Sequence, residues 1–224
     1  MPQGCLVFAF EEQAMSELPR LNGAAPDFAA VSTHGPVSLA DYKGRWLILF
    51  SHPADFTPVC STELAAFARR APDFATRNTA LLGLSVDSVF AHIAWTRNLA
   101  DKMGVEIPFP IIADLDMRVA RSYGMIHPES SETATVRCVF FIDPQQRVRA
   151  MVHYPMSCGR NVAELLRLLD GLQTADEQRC ATPENWHPGE PVLQPPPRTS
   201  SEAAGRMQDK SVDSLDWYFG FRKG

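Results

Sequence analysis

Ten residues, Ser51 to Cys60, join an apolar strand pattern to a helix pattern, and this junction constrains the fold more than any other stretch. The strand side is Trp46-Leu47-Ile48-Leu49-Phe50, and the helix side runs from Ser61 to Arg70. An unbroken apolar run suits a strand covered on both faces, as in a parallel sheet. Thr79 to Val86 has the same character. Cys60 therefore falls where a strand hands over to the first turn of a helix. Unpaired N–H groups and the positive end of the helix dipole converge there and favour a thiolate over a thiol. Such a position suits a nucleophile and is a poor one for an inert core thiol.

The remaining patterns build a sheet around that junction. Lys43-Gly44 is a turn before the strand over 45–50. The helix after Cys60 is expected to stop by Ala71-Pro72, because proline disfavours helical dihedrals in the residue before it. Asp87 or Ser88 caps a helix over 89–103, with Phe90, Ile93, Trp95 and Leu99 as its expected apolar face. Ile111 to Ala113 is a short strand, and Asp114 or Asp116 caps a short helix through Tyr123. Strands over 134–142 and 147–154 flank the turn Asp143-Pro144-Gln145-Gln146 and form a hairpin. A helix over 161–172 carries Val162, Leu165, Leu166 and Leu169 on one face. This order implies an α/β, thioredoxin-like fold: a central mixed sheet flanked by helices, with the reactive site at the C-terminal end of a strand.

Beyond Leu172 the composition changes. Pro191 to Pro197 is proline-rich, and Trp217-Tyr218-Phe219 forms an aromatic cluster near the end. We expect a tail over 1–14, with Met15 as an alternative start, a core domain over 15–173 and a C-terminal extension over 174–224. The extension reads as a dimerisation arm packed on a partner subunit, the alternative being an arm folded back on its own domain.

A net charge of −5 argues against nonspecific nucleic-acid binding. No apolar run approaches the ~18 residues of a membrane span, and residues 1–10 lack the basic start of a secretory signal. Five widely spaced cysteines without a C-x-x-C pair suit a reducing compartment, read as the cytoplasm. Cys138 lies in a strand pattern and reads as core, Cys158 and Cys180 are ambiguous, and Cys5 is expected to be a surface thiol.

Around Cys60 the residue types describe a small pocket. Thr57 can accept a hydrogen bond from the helix's first turn or donate one to a bound oxygen. Pro53 can close the pocket with an apolar ring, and Pro58 stands where a missing N–H matters little. A thiolate there calls for a cation. Arg137, at the start of a strand, and Arg160, before the last long helix, are the candidates, with Glu63 one turn after Cys60 to hold such an arginine. Attack of the thiolate on a hydroperoxide would break the O–O bond and leave a sulfenic acid.

Pro53-x-x-x-Thr57-x-x-Cys60, followed by Ser61-Thr62-Glu63, resembles the active-site signature of the peroxiredoxins. The likeness extends from about Leu21 to Phe219. It is strongest to the one-cysteine, peroxiredoxin-6-like group of the AhpC/TSA family, through Arg137 and its strand, Tyr154-Pro155, Gly159-Arg160-Asn161 and the stretch Ala181 to Val192. The resemblance implies a thiol-dependent peroxidase for hydrogen peroxide and organic hydroperoxides. Cys60 would be its peroxidatic cysteine. Thr57 and Arg137 would bind peroxide and activate sulfur, and Pro53 would shield the pocket. His52 would hydrogen-bond substrate or water, with Glu63 and Arg160 in support. It also implies a homodimer at least, with a decameric ring as the larger alternative, and no metal or prosthetic group. Ser214 and Gly220 stand where some relatives carry resolving cysteines, so an external thiol such as glutathione or a thioredoxin-like protein is the expected reductant. Arg45 stands where some animal members carry a phospholipase serine, so that activity is not expected.

Overall fold

Two strands that are apolar along most of their length need cover on both sides, and the chain provides it. The computed structural model describes residues 18–209 and 213–222; the expected tail, Met15 and Cys5 lie outside them. A seven-stranded sheet has the order β2-β1-β5-β4-β3-β6-β7, with β1 at Ala29–Ser32, β2 at Gly35–Ser38, β3 at Trp46–Ser51, β4 at Thr79–Ser85, β5 at Ile111–Ala113, β6 at Arg137–Ile142 and β7 at Val148–Tyr154. Strands β3, β4 and β5 run parallel, whereas β6 pairs antiparallel with β3 and with β7. β3 is thus the seam where the parallel strands β4 and β5 meet the antiparallel pair β6 and β7.

Alternation along β3 builds two cores, as the two-residue period of a strand requires. Trp46, Ile48 and Phe50 join one cluster with residues of α1 (Pro58–Ala75), α2 (Val89–Met103) and α4 (Val162–Gln178). Leu47 and Leu49 join the other, with Val119 and Ala120 of α3 (Arg118–Ser122) and with Tyr123 and Phe28. Helices therefore lie on both faces of the mixed sheet, as the pattern implies.

Several details depart from the sequence reading. Helix α1 continues through Pro72 to Ala75. Its last turn is held by the fully buried Phe74 and by Thr76, whose N–H reaches the Pro72 carbonyl, so packing outweighs the bond that proline forfeits. In α2 the buried face is His92, Trp95 and Leu99, while Phe90 and Ile93 are exposed. A histidine with partners takes the place that hydrophobicity alone assigns to the two apolar residues. Helix α4 starts at its Asn161 cap and runs to Gln178, across the boundary drawn at 173.

Beyond α4 the chain is more regular than its prolines suggest. Three strands, β8 (Val192–Leu193), β9 (Asp213–Asp216) and β10 (Phe219–Arg222), form a small sheet of order β8-β10-β9, preceded in the chain by the buried Trp186. Helix α5 (Ser200–Gln208) lies between β8 and β9 in the chain. Leu215, Trp217 and Tyr218 remain exposed on this extension.

Candidate active site

At the end of β3 the chain must turn through Pro53–Thr57 before α1 can begin. Pro58 is the first residue of α1, where its missing N–H costs no helical bond. Cys60 lies in that first turn and is only 1% exposed.

Three charged side chains converge on it. Arg137, the first residue of β6, sets Nη1 3.3 Å from the Cys60 Sγ and 2.7 Å from Glu63 Oε2. Its Nη2 and Nε donate to the Met156 carbonyl at 2.7 and 2.9 Å. The guanidinium is fixed by two partners, a carbonyl and a carboxylate, and its Nη1 also faces the sulfur. Arg160 is bound to the same carboxylate. Its backbone N–H and Nε donate to Glu63 Oε1 at 2.7 and 2.9 Å, and its Nη2 to Oε2 at 2.8 Å. Its Nη1 donates to the carbonyls of Ser51 and Cys138 at 2.8 and 3.0 Å, tying the end of β3 to β6. Phe50 and Phe67 lie under its planar head, at 5.3 and 5.4 Å.

Glu63 thus pairs with two buried guanidinium groups at once, its single charge offsetting one of their two, with side chains that are 3–4% exposed at the Arg137 pair. Burial pushes its carboxyl up, but the charge and hydrogen bonds of Arg160 and the charge of Arg137 outweigh that, so it titrates below an ordinary glutamate.

The sequence-predicted residues are not all arranged as expected. The Thr57 side chain makes no capping bond; its hydroxyl donates to the Ala54 carbonyl at 2.9 Å, and it is the Thr57 carbonyl that receives Ser61. The oxygen lone pairs, rather than the proton, are left toward other partners. Pro53 is half-buried in the loop. His52 is buried and turns Nε2 to Asp55 Oδ1 at 2.8 Å, so that nitrogen is committed to the protein. Cys138 is fully buried, and burial pushes its thiol up to about 12, the behaviour of a core residue. Cys158 is exposed and Cys180 half-buried, both as free thiols.

Sequence reasoning missed Asp55, His92 and the Met156 carbonyl. His92 places Nδ1 2.7 Å from Asp55 Oδ2 and Nε2 3.1 Å from the Ile112 carbonyl. His52, Asp55 and His92 are the group among the described residues whose donor atoms cluster, within 4.8 Å, as metal ligands do. Those atoms already bond one another at 2.7–2.8 Å, so the set reads as a hydrogen-bonded chain. Burial works to raise the Asp55 carboxyl, but the hydrogen bonds and charges of the two imidazoles outweigh it and hold the group below an ordinary aspartate. Burial also lowers His52, against the pull of Asp55.

These shifts predict acid sensitivity. His52 is depressed, so the unfolded chain takes up a proton below its ordinary value of 6.5 while the folded one does not. Stability then declines as pH falls below 6.5. Glu63 and Asp55 are depressed from 4.5 and 3.8, so their contribution is present above those values and is lost as pH falls through them toward the folded ones. Urea midpoints measured from pH 6.5 to pH 4 should fall throughout, most steeply at the acid end; a constant midpoint would contradict this.

Comparison with known proteins agrees with the geometry. The model of the AhpC/TSA family matches residues 21–151, and that of the C-terminal domain of 1-Cys peroxiredoxin matches 171–210. The chain is 49% identical over 207 residues to peroxiredoxin 2 of Caldanaerobacter subterraneus subsp. tengcongensis, covering 92% of this chain and 94% of that one. It is 53% identical over 213 residues to a peroxiredoxin of Aquifex aeolicus, covering 90% and 95%. Among solved structures, the yeast mitochondrial 1-Cys peroxiredoxin superposes with a TM-score of 0.83 at 39% identity, covering 92% of this chain and all of that one. A cysteine-to-serine mutant of peroxiredoxin 6 from Arenicola marina gives 0.81 at 33% identity, with 92% and 98% covered. No helix among the described residues is long and apolar enough to cross a membrane. A strand-to-helix cysteine facing a fixed guanidinium, on this sheet and with these relatives, makes the chain a member of the AhpC/TSA family, close to its one-cysteine group: a thiol-dependent peroxidase that reduces peroxides through a peroxidatic cysteine.

Proposed function

We propose that Cys60 is the peroxidatic residue and that the arginine beside it does the electrostatic work. The carrying observation is the 3.3 Å contact between Arg137 Nη1 and the Cys60 Sγ. A cation at that distance stabilises a negative sulfur, and the same edge can receive charge developing on a departing oxygen. The thiolate attacks the terminal oxygen of a hydroperoxide and the O–O bond breaks. The sulfur becomes a sulfenic acid, and the leaving oxygen takes up a proton and departs as water or an alcohol. Thr57 offers oxygen lone pairs to the peroxide O–H, and Pro53 shields the reacting atoms from water. Glu63 and Arg160 hold Arg137 in line, while His52 acts from beneath the loop. The reaction as written needs neither metal nor prosthetic group.

The sulfenic acid is then reduced by an external thiol, glutathione or a thioredoxin-like protein. Ser214 and Gly220 in the C-terminal ribbon support this, since neither can resolve it. The yeast relative, described as resolved through glutathione and thioredoxin systems, supports it as well. Free thiols at four described cysteines suit a reducing compartment, read as the cytoplasm. A homodimer, or a decamer built from it, is supported by two surfaces. Among the described residues strand β7 has β6 on one side only and leaves an open edge of the large sheet. Residues 174–224, read as a dimerisation arm, carry exposed Leu215, Trp217 and Tyr218.

Cys60→Ser should abolish peroxide consumption with every thiol donor. Stopped-flow measurement of hydrogen peroxide loss tests this, and an unchanged rate in the variant would sink the assignment.

A further inference from the structure

The buried chain His52–Asp55–His92 is not needed for the charges around Cys60, yet its hydrogen bonds permit only certain protonation states. His92 Nε2 faces the Ile112 carbonyl, which can only accept, so Nε2 carries a proton. His92 Nδ1 faces Asp55 Oδ2 at 2.7 Å. A bare nitrogen against a carboxylate oxygen would repel, so a second proton lies between them. The Asp55–His92 pair therefore holds one proton more than a neutral imidazole beside a carboxylate. On the other side, His52 Nε2 donates to Asp55 Oδ1, which leaves Nδ1 of His52 bare, buried and without a partner among the described residues.

This chain anchors the loop that delivers Cys60. Of Pro53, Ala54, Asp55, Phe56 and Thr57, only Asp55 is buried. Its backbone N–H is also held, by Asp87 at 3.0 Å. The next residue, Phe56, has φ +54, in the left-handed region that a bulky side chain rarely adopts, so the surroundings must impose that turn. On its far side the His52 ring packs 5.1 Å from Trp95, whose indole N–H reaches Ser61, the neighbour of Cys60. The network touches the reactive turn from both ends.

We infer that His92 is a positioning residue for the peroxide reaction: the proton it shares with Asp55 pins the Pro53–Thr57 loop and fixes His52 with a bare Nδ1 as a buried acceptor. This rests on Cys60 being the peroxidatic residue, but its decisive measurement does not use activity. Nitrogen-15 NMR of the imidazoles in the reduced full-length protein should show His92 protonated at both nitrogens and His52 at Nε2 alone. A His92 with one proton overturns the inference even if the Cys60→Ser result stands.

Two variants complete the test. In His92→Gln the amide can reach toward Ile112 but leaves Asp55 without its donor. Cys60 oxidation by hydrogen peroxide should slow by about ten- to a hundredfold, the range set by a lost hydrogen bond to a charged group. His52 should then show mixed tautomers. In His92→Asn the amide N–H stands near the old Nδ1 and donates to Asp55, so most of the rate and the single His52 tautomer should return. A Gln variant as fast as the parent with His52 unchanged, or an Asn variant as slow as Gln, overturns the inference. If the Gln variant does not fold, the parent spectrum still decides.

Discussion

Glu63→Gln should destabilise this protein by about 3–5 kcal/mol, the cost of leaving a buried charge without its partner. The reason is the count of charges in one closed space. Arg137 and Arg160 both bond the same carboxylate, through Oε2 at 2.7 and 2.8 Å, and Arg160 adds two bonds to Oε1. Glutamine keeps the shape but not the charge, and its amide N–H₂ faces guanidinium donors with nothing to accept. For a chain of this length the midpoint of thermal unfolding should fall by roughly 6–20 °C. Glu63→Gln combined with Arg160→Met should recover part of the loss, because one of the two uncompensated cations is gone. Thermal and urea unfolding of the single and double variants measure this; a single-variant loss below about 1 kcal/mol, typical of an exposed pair, would show that the site is wetter than its 3–4% exposure implies.

Arg137→Met should lower the rate of Cys60 oxidation by about 10²–10³-fold, the effect of removing one preorganised donor from a developing charge. Methionine fills a similar volume and keeps the fold, so the loss falls on the chemistry. Arg137→Lys should recover little. The planar head of Arg137 touches Cys60, Glu63 and Met156 together, and a single ammonium on a flexible stem cannot meet all three at those distances. Stopped-flow fluorescence of peroxide reduction separates these outcomes. A lysine variant close to the parent would mean that charge alone, and not the fork, is what the sulfur needs.

Much of this centre was legible in the chain. Cys60, Glu63 and the junction between β3 and α1 are local, so periodicity and a proline at the helix start point to them directly. Arg137 and Arg160 were readable as cations at the edges of elements, although nothing local says that one carboxylate binds both. What stayed hidden is long-range or made of backbone. Asp55 and His92 are 37 positions apart and meet only because α2 packs against β5. The clue was available: a histidine three residues before Trp95 and seven before Leu99 sits on the buried stripe of that helix. Hydrophobicity sent the reading to Phe90 and Ile93 instead. The Met156 carbonyl has no sequence signature at all. The small C-terminal sheet was masked by prolines, which argue against strands; they flank only the two-residue edge strand β8, and β9 and β10 lie beyond them.

The polarity change at β3 explains why a nucleophile and its counter-charge can meet so economically. A strand that ends beside the beginning of its antiparallel neighbour brings two distant stretches to one corner with no loop to bridge them. Phe50 lies opposite Val139, so the residues leaving β3 face those entering β6, 77 positions apart between Cys60 and Arg137. The loops that join the elements between those stretches can lengthen or shorten without moving the corner, whereas Glu63, β4 and the turn of α2 that carries His92 are fixed to it. Reactivity here is as much a property of strand direction as of the side chains that use it.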